Sequence, residues 1–142
     1  MRWATRAGCH VDRAACAWLL RRFVDPDAAF VFVEDPEDVP ADATPFDMRG
    51  VELTHHGDDC TFETMLRHFD LDDPVLWDLS RLVHEADIAD ERFDEPGAPR
   101  LNAICRAVSL VADDERVLEI TAVMFDGLYE QRRRRLLGDP TG

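Results

Sequence analysis

The chain has 142 residues, enough for one domain and too few for two of ordinary size. Apolar residues make up 46%, which supports a packed core and excludes wholesale disorder. Thirty acidic residues stand against 16 basic ones, all arginine, and the net charge of −14 disfavours nucleic acid and anionic membranes as general partners, since both carry the same sign. Most of the acid excess reads as a solvated, halophile-like surface.

In chain order, residues 2–6 read as a short strand. Residues 11–24 follow as a helix, with Cys16, Leu19, Leu20 and Phe23 on one stripe, and Asp25-Pro26-Asp27 stops it. A second strand is expected over 29–33 and a Pro-rich acidic loop over 36–41. Two further strands are expected over 44–48 and 51–54, with Arg49-Gly50 as the turn between them. The chain then turns helical. Residues 61–69 align Phe62, Met65, Leu66 and Phe69; the next helix has Asp73 as N-cap and Pro74 at its first position and runs to 87. Residues 101–112 carry Leu101, Ile104, Cys105 and Val108 on one face. The last helix starts at 113 or 114 and is expected to bury Val117, Ile120, Met124 and Leu128. The expected architecture is therefore α+β: a helix-dominated single domain with a small sheet from the first third of the chain. The strand–helix–strand start permits a βαβ unit.

Four cysteines, Cys9, Cys16, Cys60 and Cys105, form no C-x-x-C pair, so neither a disulfide scaffold nor a zinc finger is expected. There is no apolar signal core and no run near the ~18 apolar residues of a membrane span, so a cytoplasmic location is expected.

Side chains able to do chemistry concentrate in a few places: Cys9 to Asp12, Asp47, Glu52 to Cys60, Glu63, and His84 with Asp87. His, Asp, Glu and Cys together are ligands for Zn, Fe or Mn. If the first strands are parallel, the loop after the first and the residue Asp47 share one sheet edge, where ligand sites favour the carboxyl ends of strands. Asp12 is suited to N-cap its own helix or to serve a buried role. Asp47 could simply cap a turn. His55 and His56 point apart, and His55 is the one expected to face the site. Glu63, in the first turn of a helix, is explained by the helix dipole alone. Asp87 lies at the margin of an apolar stripe and needs an arginine, backbone donors or a metal, the arginine being the commoner outcome. His84 reads as a half-exposed packing residue. Cys16 and Cys105 read as inert buried thiols. Cys60 opens a helix near two histidines and is either a reactive, metal-binding thiol or one tucked under a turn. Arg132 to Arg135 end the last helix, where positive charge suits the dipole, a dimer contact included. No G-x-S-x-G, P-loop, G-x-G-x-x-G or H-E-x-x-H is present.

One family carries these residues in order. Trp3-Ala-Thr-Arg, His10-Val-Asp-Arg-Ala-Ala-Cys, Ala43-Thr-Pro-Phe-Asp, Glu52-Leu-Thr-His with Cys60-Thr-Phe-Glu, Leu71-Asp-Asp-Pro, Val83-His-Glu-Ala-Asp and Val123-Met-Phe-Asp-Gly-Leu-Tyr run across nearly the whole chain. They resemble the C-terminal domain family of the chromate-resistance protein ChrB. The resemblance implies a role in chromate resistance, a stress response, or in its regulation. The sequence lacks the N-terminal region that would bind DNA in a two-part regulator, so a repressor role is not expected. Family members often carry Lys at the position of His10, which argues against His10 as an indispensable ligand.

Three functions are open at this level. The first is a domain binding a divalent transition metal, or answering to a small anion such as a metal oxyanion, through some of Asp12, Asp47, His55, Cys60 and Asp87. The second is an enzyme, with Asp12 or Asp87 as base in metal-assisted hydrolysis, or Cys60 as a reductant. The third is a non-catalytic interaction module, with a homodimer through the last helix.

Overall fold

Strand β1 (Arg2–Arg6) forms the centre of a small parallel sheet in the computed structural model, which describes residues 1–138. Its neighbours are β2 (Ala29–Val33) and β3 (Ala43–Pro45), in the order β2-β1-β3, with Trp3 opposite Phe30 and Thr44. Helix α1 (Val11–Leu19) joins β1 to β2, and its last turns widen into a π-wound segment, Leu20–Val24. Because all three strands are parallel, their carboxyl ends share one edge. The loop after β1, the start of α1 and Asp47 after β3 all lie there. The expected bounds of the first two strands are met.

The expected strand pair over 44–48 and 51–54 is not. β3 ends at Pro45, and the later stretch contributes one lone bridge, Phe46 to Leu53. Asp47 explains the break, because its φ of 54° puts it in the left-handed region, which ends an extended run and which Asp tolerates better than most residues.

Four more helices complete the domain: α2 (Thr61–His68), α3 (Pro74–Asp87), α4 (Ala98–Val111) and α5 (Asp114–Leu136). Asp73 caps α3 through the Val75 N–H and Asp113 caps α5 through the Arg116 N–H, so both sequence-expected starts are built as capped ends. Helix α1 is buried along most of its length and packs on α2, α3 and α5. The largest buried side chains, Leu19, Phe46, Phe62, Met65, Leu76, Leu79 and Phe125, form one continuous core around it.

Two stripes differ from expectation. On α5 the buried residues are Val117, Leu118, Thr121, Phe125 and Arg132, while Ile120 is 39% exposed. The helix packs on both α1 and α3, so its inner face is set between them and not along the widest apolar row. On α4 only Ala98, Leu101 and Cys105 are buried and Ile104 faces solvent. Phe23, in the π-wound segment, is likewise 36% exposed, with its ring against Trp18 and Tyr129. Among the described residues no helix is long and apolar enough to cross a membrane.

Candidate functional site

Asp12 is the second residue of α1 but does not cap that helix, whose own N-cap, His10, makes no side-chain cap bond. It caps α2 instead. Its Oδ2 accepts the Thr61 N–H at 2.9 Å and its Oδ1 accepts the Phe62 N–H at 3.0 Å. The Cys16 Sγ lies 3.6 Å from the same Oδ1, one helical turn on. Only 2% of Asp12 is exposed, and a carboxylate that deep is tolerable because two orphan amides and the positive end of α2 face it.

His55 completes the approach from the loop after β3. Its Nε2 lies 3.2 Å from Asp12 Oδ2 and 3.3 Å from Asp87 Oδ2, at the last residue of α3. Hydrogen bonds to Asp12 and then Asp87 raise the His55 imidazole to about 10, against a smaller opposing effect of burial. Asp87 thus meets a histidine where an arginine was the commoner expectation. One ring nitrogen faces two carboxylates, the three groups coming from a loop, α1 and α3, and ligand atoms of the three lie within 4.8 Å of one another. His55 is 44% exposed along its side chain, so the group is open to solvent on one side. His56 turns away, its Nε2 against the Glu52 carbonyl.

Asp47 lies beside this group, on its rim. Its Oδ2 accepts from Arg13 Nε at 3.0 Å, and its Oδ1 accepts the Thr61 hydroxyl at 2.7 Å. Burial, and next the charge of Asp12, raise its carboxyl to about 7, with Arg13 opposing. Arg13 also donates to the carbonyls of Gly8 and Asp47, so it clamps the loop after β1 to the end of β3. A cleft of about 660 Å³ opens along this rim, lined by Arg6, Arg13, Asp47, Arg49 and His55 among others.

Cys60 stands apart from His55. It is fully buried at the N-cap of α2, and its backbone N–H donates to Glu63 Oε1 at 2.9 Å. Burial, and next Asp12, push its thiol far above the ordinary cysteine range, which outweighs the thiolate-favouring effect expected of the helix end. Its neighbours are Glu63 and His84, and ligand atoms of these three lie within 4.8 Å of one another.

Sequence reasoning missed that second group. His84, expected half-exposed, is wholly buried: Nδ1 meets Glu63 Oε1 at 2.5 Å, and Nε2 meets both Asp90 oxygens at 3.0 Å. Glu63, assigned only to the helix dipole, is 3% exposed. A single-helix projection places His84 off the apolar stripe of α3, yet α2 packs against that flank and covers it. The pattern that could have pointed to the pair is the Glu at the third position of α2 together with the lone polar ring late in α3.

The structure therefore brings Asp12, His55 and Asp87 together, sets Asp47 on Arg13 and Thr61, and sets Cys60 with Glu63 and His84. Comparison with known proteins covers the stretch of chain that holds these residues. The family described as "ChrB, C-terminal domain" matches residues 3–132. A relative named Protein ChrB, from Cupriavidus metallidurans, is 38% identical over 128 residues, covering 89% of this chain and 39% of its own length. The chain thus spans about two-fifths of that relative. No solved structure matches it.

Proposed function

The chain belongs to the ChrB C-terminal domain family, and from that premise we propose that it serves chromate resistance by binding one divalent transition metal, Zn, Fe or Mn, on Asp12, His55 and Asp87. The observation that carries this reading is the convergence of His55 Nε2 on Asp12 Oδ2 and Asp87 Oδ2, at 3.2 and 3.3 Å. One imidazole and two carboxylates suit a borderline or hard transition ion, and three protein ligands leave coordination positions free for a ligand from solvent.

The surroundings support the same reading. Asp12 is oriented by the Thr61 and Phe62 amides, as ligating carboxylates are usually held by groups behind them. The cleft beside His55 carries Arg6, Arg13 and Arg49 against Glu34, Asp35 and Asp47, so its lining is balanced in charge within a chain of net charge −14. A cation with those arginines is what a small oxyanion would need in order to approach. Four free, buried thiols fit a reducing, cytoplasmic setting. A thiol-reductant reading based on Cys60 is disfavoured by its burial and its strongly raised thiol.

Elemental analysis of protein purified without a metal-affinity tag tests the proposal. The wild type should retain a transition metal, and His55→Ala and Asp87→Ala should each lose one equivalent. A folded wild type free of metal, or metal content unchanged in both variants, overturns it.

A further inference from the structure

We propose that Cys60, Glu63 and His84 form a second, closed site for a divalent transition metal of the zinc class, separate from the open Asp12–His55–Asp87 group. The three come from two elements, the start of α2 and the late turns of α3, and offer a sulfur, a carboxylate oxygen and a ring nitrogen. Their side chains are nearly sealed from solvent, at 4% exposure for Glu63 and none for His84.

The protons point the same way. His84 Nε2 faces both oxygens of Asp90 at 3.0 Å, a contact that is attractive only if that nitrogen carries hydrogen. The lone pair of Nδ1 is then turned toward Glu63 Oε1, 2.5 Å away, and two acceptors at that distance require positive charge between them. A second proton supplies it in the metal-free protein. A metal would replace that proton once Nδ1 and Oε1 part to roughly 3.3 Å, the spacing two ligands take around a tetrahedral zinc, and Asp90 behind His84 is the carboxylate–histidine arrangement that orients ligating imidazoles. The adjacent thiol selects the ion, since sulfur ligands suit zinc-like metals and not magnesium, calcium or manganese.

The loop after α3 closes the site. Glu85 accepts the N–H groups of Glu91 and Phe93, and the Phe93 ring packs edge-on against His84 with centroids 5.1 Å apart. Metal here would tie α2, α3 and this loop together. On binding, the Cys60 thiol and the His84–Glu63 contact each give up one proton to the buffer, with no change of oxidation state.

Cobalt(II) titration of metal-stripped protein tests the inference independently of the open site. Only a thiolate ligand gives cobalt an intense near-ultraviolet charge-transfer band. The wild type and His55→Ala should both show that band. Cys60→Ser, whose serine still suits an N-cap and whose fold is checked by circular dichroism, should lose it together with one equivalent of cobalt. Asp90→Asn should weaken the band-forming affinity about 10- to 100-fold. Absence of the band in the wild type, or its persistence in Cys60→Ser, overturns the second site. Loss of an equivalent in His55→Ala speaks only to the first.

Discussion

The carboxylate of Asp12, near the start of α1, accepts the backbone N–H of Thr61 at the start of α2, 2.9 Å away and 49 residues along the chain. That single side chain both ends one helix's unpaired amides and presents its outer oxygen to His55. Stability and site geometry therefore share one residue.

Asp12→Ala should accordingly be among the most costly polar substitutions in the chain. It strips the partner from two amides at a buried helix end, and the expected loss is about 2–4 kcal/mol in urea unfolding. Asp12→Asn keeps one acceptor and should lose less, while still weakening metal binding. A loss below about 0.5 kcal/mol in the alanine variant would contradict the capping role.

Manganese should bind the open site alone, because its preference is for oxygen and nitrogen ligands. At a free concentration a hundredfold above its dissociation constant it should stabilise the wild type by about 2.7 kcal/mol. For a chain of this size that is a rise in Tm of roughly 5–10 °C. His55→Ala and Asp87→Ala should show no such rise. An equal rise in all three proteins would place the ion elsewhere.

Tyr129 is the only tyrosine, so its titration can be read without interference. Burial, and then the hydrogen bond its hydroxyl donates to Asp73 at 2.6 Å, raise the phenol to about 12. The folded state thus holds this proton more tightly than the unfolded chain, and the stability contributed is complete below the ordinary tyrosine value near 10. It is lost as pH rises from there through 12. Phenolate absorbance should show a midpoint near 12, and Asp73→Asn, which still caps α3, should move it toward 10. A wild-type midpoint near 10 would exclude the α3–α5 tie.

Arg132 separates itself from the rest of the basic block. Its guanidinium bonds Glu95 through both terminal nitrogens, at 3.0 and 2.8 Å, and reaches the Asp78 carbonyl and carboxylate at 3.0 and 3.1 Å. Arg132→Met keeps the stem but leaves Glu95 unpaired in a part-buried position, at an expected cost of about 2–4 kcal/mol. Arg133→Ala, which breaks an exposed pair with Glu130, should cost far less, because solvent screens that pair. Equal effects would remove the distinction.

The legible part of this molecule is the part governed by local periodicity. Strands β1 and β2, the stop at Asp25-Pro26-Asp27, and the caps at Asp73 and Asp113 follow from spacing and turn chemistry alone. The marginal position of Asp87 on α3 was visible for the same reason. What stayed hidden depends on helices meeting from the side. His84 and Glu63 are buried by the packing of α2 on α3, and the Asp12 cap is paired across 49 residues, so neither shows in any window of sequence. Asp47 ended a strand early by adopting a left-handed backbone, a choice its sequence neighbourhood of Phe46 and Met48 does not announce.

The most direct test is an anomalous-difference map from a crystal grown with manganese. The metal-centre reading predicts a peak about 2.0–2.2 Å from His55 Nε2 and from one oxygen each of Asp12 and Asp87. A well-ordered map with no peak at those three atoms would contradict it.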